Sequence, residues 1–209
     1  MDELRLTPDL RSPFRRMSIS TLHSEIKAAN DAYAASFTKG DLALPPARKC
    51  SILVCMDARI DPAKALGLSE GDSHVIRNAG GRASDDAIRS FVISHKLLGT
   101  IEWFVVHHTD CGMEYFTSEH MGGLLTTSLA TAAHNGKEFA NVSSEGGAPD
   151  GQFVNWLTIN KGQAAAVSDD VHRIAKHPLV AAGIPIHGYI YDVKTGKINH
   201  VLSVTSKKE

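Results

Sequence analysis

At 209 residues, with 43% hydrophobic and 22% charged side chains, the chain is long enough to bury a sizeable core and falls within the range of one domain. Its 22 Lys plus Arg against 23 Asp plus Glu give a formal charge of -1. No broad field then draws in nucleic acid or an anionic membrane, and the expected partner is a small molecule or another protein. No apolar stretch approaches the roughly 18 residues of a membrane span, and the N-terminus lacks the apolar core of a secretory signal, so the expected location is the cytoplasm.

The first residues mix Arg5, Arg11, Arg15 and Arg16 with Asp2, Glu3 and Asp9, acids that argue against an organelle transit peptide. Residues 1–17 read as a flexible arm and 18–209 as one domain. Over 18–38 the chain is short of Gly and Pro and places Leu22, Ile26, Ala29 and Tyr33 at helical spacing, with Ser20 or Thr21 as a cap. Pro45 and Pro46 break that pattern, and Cys50 to Met56 follows as a short apolar run typical of a strand buried on both faces.

Pro62 to Leu66 suggests a short helix and Ser73 to Arg77 a second strand, after which Gly80 and Gly81 form a break. Ser84, Asp85 and Asp86 can then cap a helix whose apolar positions Ile88, Phe91, Val92, Leu97 and Leu98 face a sheet, with His95 on the same side and Gly99 at the end. Ile101 to Val106 is another apolar run. Strand, helix and strand thus alternate as in an α/β fold with a central, mostly parallel sheet flanked by helices. Residues 135–152 have turn composition and read as a surface loop. A helix from about Ser168 to Lys176 stops before Pro178, and Ile186 to Val193 with Ile198 to Val204 forms a hairpin across Thr195-Gly196.

Three cysteines, Cys50, Cys55 and Cys111, are too few and odd in number for a disulfide framework, which turns attention to metal binding or catalysis. Cys55 lies at the carboxyl end of the first strand, and His108 and Cys111 follow the strand at 101–106. In open α/β sheets that edge is where sites form. Two thiolates and an imidazole suit Zn2+ and leave a fourth tetrahedral position open. The H-x-x-C spacing is weak evidence by itself, since Cys is often a small buried hydrophobe and His a satisfied core residue. Asp57 and Arg59, two and four residues beyond Cys55, read equally well as surface charge when taken alone.

Together these residues resemble the β-carbonic anhydrases, whose pattern is C-x-D-x-R followed much later by H-x-x-C. Here it stands as Cys55-Met56-Asp57-Ala58-Arg59 and His107-His108-Thr109-Asp110-Cys111-Gly112, with Val75 to Gly81 between. The resemblance covers most of Cys50 to Val204. It implies that Cys55, His108 and Cys111 bind one zinc ion per chain, that Asp57 and Arg59 form a catalytic pair beside it, that 18–209 is the catalytic domain, and that the basic unit is a homodimer. The implied reaction is reversible hydration of CO2 to bicarbonate and a proton. The branch with C-M-D-A-R and H-H-T-D-C-G also includes carbonyl sulfide hydrolases, so hydrolysis of carbonyl sulfide or carbon disulfide at the same site is the alternative.

A physical role for the pair follows from charge. Zinc with two thiolates and a neutral imidazole is formally neutral, an added carboxylate would displace water from the open position, and Arg59 can hold Asp57 away. Thiolates donate more charge than the three histidines that bring a zinc-held water to a pKa of about 7, so activity is expected to rise toward alkaline pH. Two other readings compete: a metal-free thiol enzyme with His107 or His108 as base, and a structural zinc closed by Asp57. His107 is expected to point away from the ligands and pack, Asp110 to serve a turn or to orient His108, and Cys50 to be a buried thiol.

Overall fold

The computed structural model describes residues 19–207, so the expected arm over 1–17 lies outside the described residues. The chain divides into two compact units, Met1–Leu42 and Ala43–Glu209. In the first, helix α1 spans Ile19–Ala35. Ser20 and Thr21 already sit in its first turn, so neither is the cap. Its apolar row is exposed, with Leu22 at 50%, Ile26 at 61% and Tyr33 at 52%.

The second unit opens with strand β1, Cys50–Cys55, all six residues of which are buried, in keeping with a mostly apolar run in which the one polar residue, Ser51, bonds the Ser94 and Thr100 hydroxyls. Helix α2, Pro62–Leu66, starts where Asp61 accepts from the Lys64 amide and stops at Gly67 in the left-handed conformation. Strand β2 is Ser73–Asn78. Helix α3, Asp85–Leu98, is capped by Ser84, whose hydroxyl accepts from the Ala87 amide, and ends on Gly99. Its buried face is Ala87, Ile88, Phe91 and Ser94. Leu97, expected on that face, is 73% exposed, because the stripe through residues 87, 91 and 94 continues to Leu98 and leaves Leu97 on its edge at the last turn.

Strand β3 runs Glu102–His108, two residues beyond the apolar run that announced it, which brings both histidines into the strand. Helix α4, Ser118–Thr127, has no counterpart in the sequence reading, since Gly122 and Gly123 sit in its interior. Just before and within the expected loop over 135–152, β4 (Ala133–His134) and β5 (Phe139–Ala140) pair as a short antiparallel ribbon. Helix α5 spans Gln163–Ala175, starting five residues earlier than Ser168. Strands β6, Pro185–Tyr191, and β7, Ile198–Thr205, form the terminal antiparallel hairpin.

The main sheet has the order β2-β1-β3-β6-β7, parallel except for β7. Residues of α3 and α5 cover one face: Ile88, Phe91, Val167, Val171 and Ile174 pack with Leu53, Trp103, Val105 and Ile186, and the Phe91 and Trp103 rings stack at 4.7 Å. Each such fully buried side chain contributes about 1.5–3 kcal/mol of transfer free energy. Ile52, Val54 and Val106 belong to a second cluster with Ile60, Met113 and Ile159, edged by the partly buried Leu66, Leu68, Phe104 and Tyr189. No helix among the described residues is long and apolar enough to cross a membrane.

Candidate metal centre

Beyond β1 the chain goes to β2 on one side and then returns to β3 on the other, so the carboxyl ends of β1 and β3 flank the crevice where strand order reverses. Cys55 ends β1, His108 ends β3, and Cys111 follows after a two-residue turn. All three are buried, at 4%, 0% and 2% exposure, and their candidate ligand atoms lie within 4.8 Å of one another. This is the group among the described residues that could hold a metal ion.

The donors fit zinc. His108 Nδ1 donates to the Thr109 carbonyl at 2.9 Å, which fixes the tautomer and leaves Nε2 as the lone-pair nitrogen. That Nε2 is buried and has no hydrogen-bond partner among the described residues. A buried acceptor without a partner costs free energy, and a metal with two sulfur ligands satisfies it. Hydrogen bonding from Cys111 pulls Cys55 well below the usual thiol range, and the same contact pushes Cys111 up. Burial disfavours a charged His108, but contact with Cys55 and the Thr109 carbonyl outweighs it and raises the pKa.

The main chain around Cys55 is tightly built. Arg77 donates to the carbonyls of Cys55 at 3.1 Å and Asp57 at 2.8 Å. Gly81 stands at φ 64°, and a Cβ there would lie 2.9 Å from the Cys55 amide nitrogen, so the site needs glycine for close approach. The turn after β2 is therefore part of the site's frame as well as a break.

Asp57 stands beside the three donors, its carboxylate engaged by Arg59. Its carboxylate takes a fork from Arg59, Nε to Oδ1 at 3.0 Å and Nη2 to Oδ2 at 2.8 Å, and Oδ1 also accepts the Arg59 amide at 2.8 Å. Oδ2 remains 3.8 Å from His108 Nε2. The hydrogen bonds from Arg59 lower the Asp57 pKa to about 2.

The other histidine of the pair does different work. His107 Nε2 donates to Asp170 Oδ2 at 3.0 Å, and its Nδ1 faces the Gln163 amide at 3.3 Å. Arg82 grips the same carboxylate, Nε to Oδ2 at 2.7 Å, and donates to the Leu157 and Thr158 carbonyls. Burial works against the charge on Asp170, but His107 and Arg82 more than offset it and lower the pKa. Asp110 reaches Arg59, not His108: its Oδ2 accepts from Nη1 at 2.7 Å and its carbonyl from Nη2 at 2.8 Å. Neither Asp170 nor Tyr115, which donates to Asp110 Oδ1 at 2.6 Å, was singled out by sequence. Asp170 is 63 residues from its His107 partner, and no local pattern links the two. Cys50 is a buried thiol, as expected, and burial raises its pKa.

Residues 50–198 match the family model described as carbonic anhydrase. The chain is 37% identical over 182 residues to beta-carbonic anhydrase 1 of Mycobacterium tuberculosis (strain ATCC 25618 / H37Rv), covering 87% of this chain and 98% of that one. It is 32% identical over 203 residues to the carbon disulfide hydrolase of Acidianus sp. (strain A1-3), covering 90% and 94%. Among solved structures, a carbonic anhydrase from Glaciozyma antarctica superposes with a TM-score of 0.74 at 41% identity, covering 88% of this chain and 100% of that one.

Proposed function

The chain belongs to the carbonic anhydrase family, and from that premise we propose that it hydrates CO2 reversibly to bicarbonate and a proton at a zinc ion held by Cys55, His108 and Cys111. The observation that carries this reading is the convergence of two sulfurs with a buried, unpartnered imidazole nitrogen at the crevice of the sheet. When bound, zinc supplies Lewis acidity and makes a water nucleophilic near neutral pH.

The residues around it have separate tasks. Arg59 neutralises Asp57 and holds it 3.8 Å from His108 Nε2, within reach of a water or substrate entering beside the imidazole. Asp57, ionised at any pH well above 2, can accept a proton-bearing donor at Oδ2 and so orient a lone pair toward the electrophilic carbon. Asp57 and Arg59 are the catalytic pair of this reading. Because Asp57 keeps its charge, the rise of activity toward alkaline pH belongs to the centre and not to this carboxylate. Asp57→Asn is expected to lower kcat/KM about 100-fold while zinc content stays near one per chain.

A metal-free thiol mechanism with His107 as base is disfavoured, because that ring points to Asp170 and not to either thiol. A second substrate class does have support: the 32% identity to a carbon disulfide hydrolase favours hydrolysis of carbon disulfide or carbonyl sulfide to hydrogen sulfide at the same donors. We further read the protein as a cytoplasmic homodimer, with 18–209 the catalytic domain behind the arm. Three unpaired thiols are in keeping with a reducing compartment, and the groove edged by Leu66, Leu68, Phe104, Tyr189 and Ile198 offers apolar surface to a second copy. Sedimentation at micromolar concentration tests the dimer.

The deciding assay is stopped-flow CO2 hydration by zinc-verified protein between neutral and alkaline pH, run beside sulfide release from carbon disulfide. Zinc-dependent CO2 turnover that rises with pH supports the reading. Sulfide release without CO2 turnover reassigns the substrate, and silence in both assays contradicts it.

A further inference from the structure

Arg59 has two anchors. Of its five guanidinium N–H groups, two form the fork to Asp57 and two more go to Asp110, one to the carboxylate and one to the carbonyl. Asp110 is itself clamped. It holds φ 56°, a left-handed backbone that Asp and Asn accept better than other side chains, and this turns its carbonyl and its carboxylate onto the same guanidinium. Its second oxygen takes the Tyr115 hydroxyl, and the Tyr115 ring meets His134 of the β4–β5 ribbon edge-on at 5.7 Å.

The second anchor matters because Arg59 lies at the surface, with 46% of its side chain exposed. A single ion pair there leaves a long side chain free to swing, and the Asp57 carboxylate would swing with it. Two bidentate contacts on adjacent edges that share Nη2 fix the guanidinium, and so fix the distance between Asp57 and His108 Nε2.

We propose that Asp110, braced by Tyr115, is a positioning residue that pins Arg59 and thereby keeps Asp57 off the metal. The inference rests on the zinc reading of Cys55, His108 and Cys111. It predicts that a loosened Arg59 lets Asp57 fill the open position.

The test uses Asp110→Asn, which tolerates the left-handed backbone, and Tyr115→Phe, which removes only the brace. Cobalt(II) is loaded in place of zinc, and azide is titrated while the visible spectrum is followed. Wild-type protein should change its spectrum as azide enters. Asp110→Asn should need about tenfold more azide, and Tyr115→Phe about threefold more, with similar falls in kcat/KM of the zinc forms. In an Asp57→Ala background, Asp110→Asn should add no more than about a twofold effect, because its route to the metal has been removed.

An unchanged azide midpoint in both variants, whatever happens to their thermal stability, overturns the proposal. So do effects of Asp110→Asn and Asp57→Ala that simply multiply. If Asp110→Asn does not fold, Tyr115→Phe carries the same test. The azide titration reads the metal position directly, so it still decides the matter if wild-type protein turns over neither CO2 nor carbon disulfide.

Discussion

His107 and His108 are neighbours in one strand and face opposite sides of the sheet, and their surroundings could hardly differ more. His107 sits in a buried network in which Asp170 and Gln163 meet its ring and Arg82 holds Asp170. His108 has one nitrogen tied to the Thr109 carbonyl and the other left unpartnered between two thiols. Both are fully buried, so burial alone does not separate a structural histidine from a ligand. The neighbours do: among the described residues the His107 ring bonds a carboxylate, whereas His108 Nε2 has no hydrogen-bond partner and lies close to two sulfurs.

That contrast can be broken at either side. The largest effect is expected at the open side: Cys55→Ser should cut zinc content, read by plasma mass spectrometry, to a small fraction per chain and lower CO2 hydration by about a thousandfold or more. Next comes the closed side. Asp170→Asn removes the carboxylate between Arg82 and His107 and should cost about 3–5 kcal/mol in urea unfolding, while the purified protein still carries zinc.

The pH dependence of stability sharpens the same comparison. Asp170 has its pKa lowered in the folded protein, so its contribution is fully present above the unfolded value of about 3.9 and is lost as pH falls through the folded value. Wild-type stability should therefore fall steeply in acid below about pH 4, and that of Asp170→Asn more gently.

A smaller cost, about 1–3 kcal/mol, is expected for Gly81→Ala, which puts a methyl group against the Cys55 amide in a left-handed backbone; circular dichroism melts would read it. Leu97→Gln, on the exposed side of α3, should change stability by less than about 0.5 kcal/mol in the same melts.

The strands that frame the site were readable because each is a short apolar run closed by turn residues, and α3 because Ser84 and Gly99 mark its ends. Helix α4 was not, because two glycines interrupt it and Thr117 caps it without an apolar stripe strong enough to show. The early start of α5 at Gln163 was hidden for a related reason: Gly162 begins it with no side-chain cap. For the site, residue types and their place at strand ends pointed to Cys55, His108 and Cys111, and the family resemblance joined Asp57 and Arg59 to them. What pairs with what across the fold was another matter. That Asp110 serves Arg59, 51 residues earlier, and that Asp170 serves His107 depend on how α5 and the turn after β3 come to rest on the sheet. A single Asp in a turn and another in a helix carry no local mark of those tasks.

The claim on which the rest depends is that zinc sits on two sulfurs and one imidazole with a further position open. X-ray absorption at the zinc edge of the purified protein tests it most directly. The account predicts two sulfurs at about 2.3 Å with nitrogen or oxygen neighbours at about 2.0–2.1 Å, reduced to one sulfur or lost altogether in Cys55→Ser. A wild-type spectrum with no sulfur shell, or protein that binds no zinc at all, would contradict it.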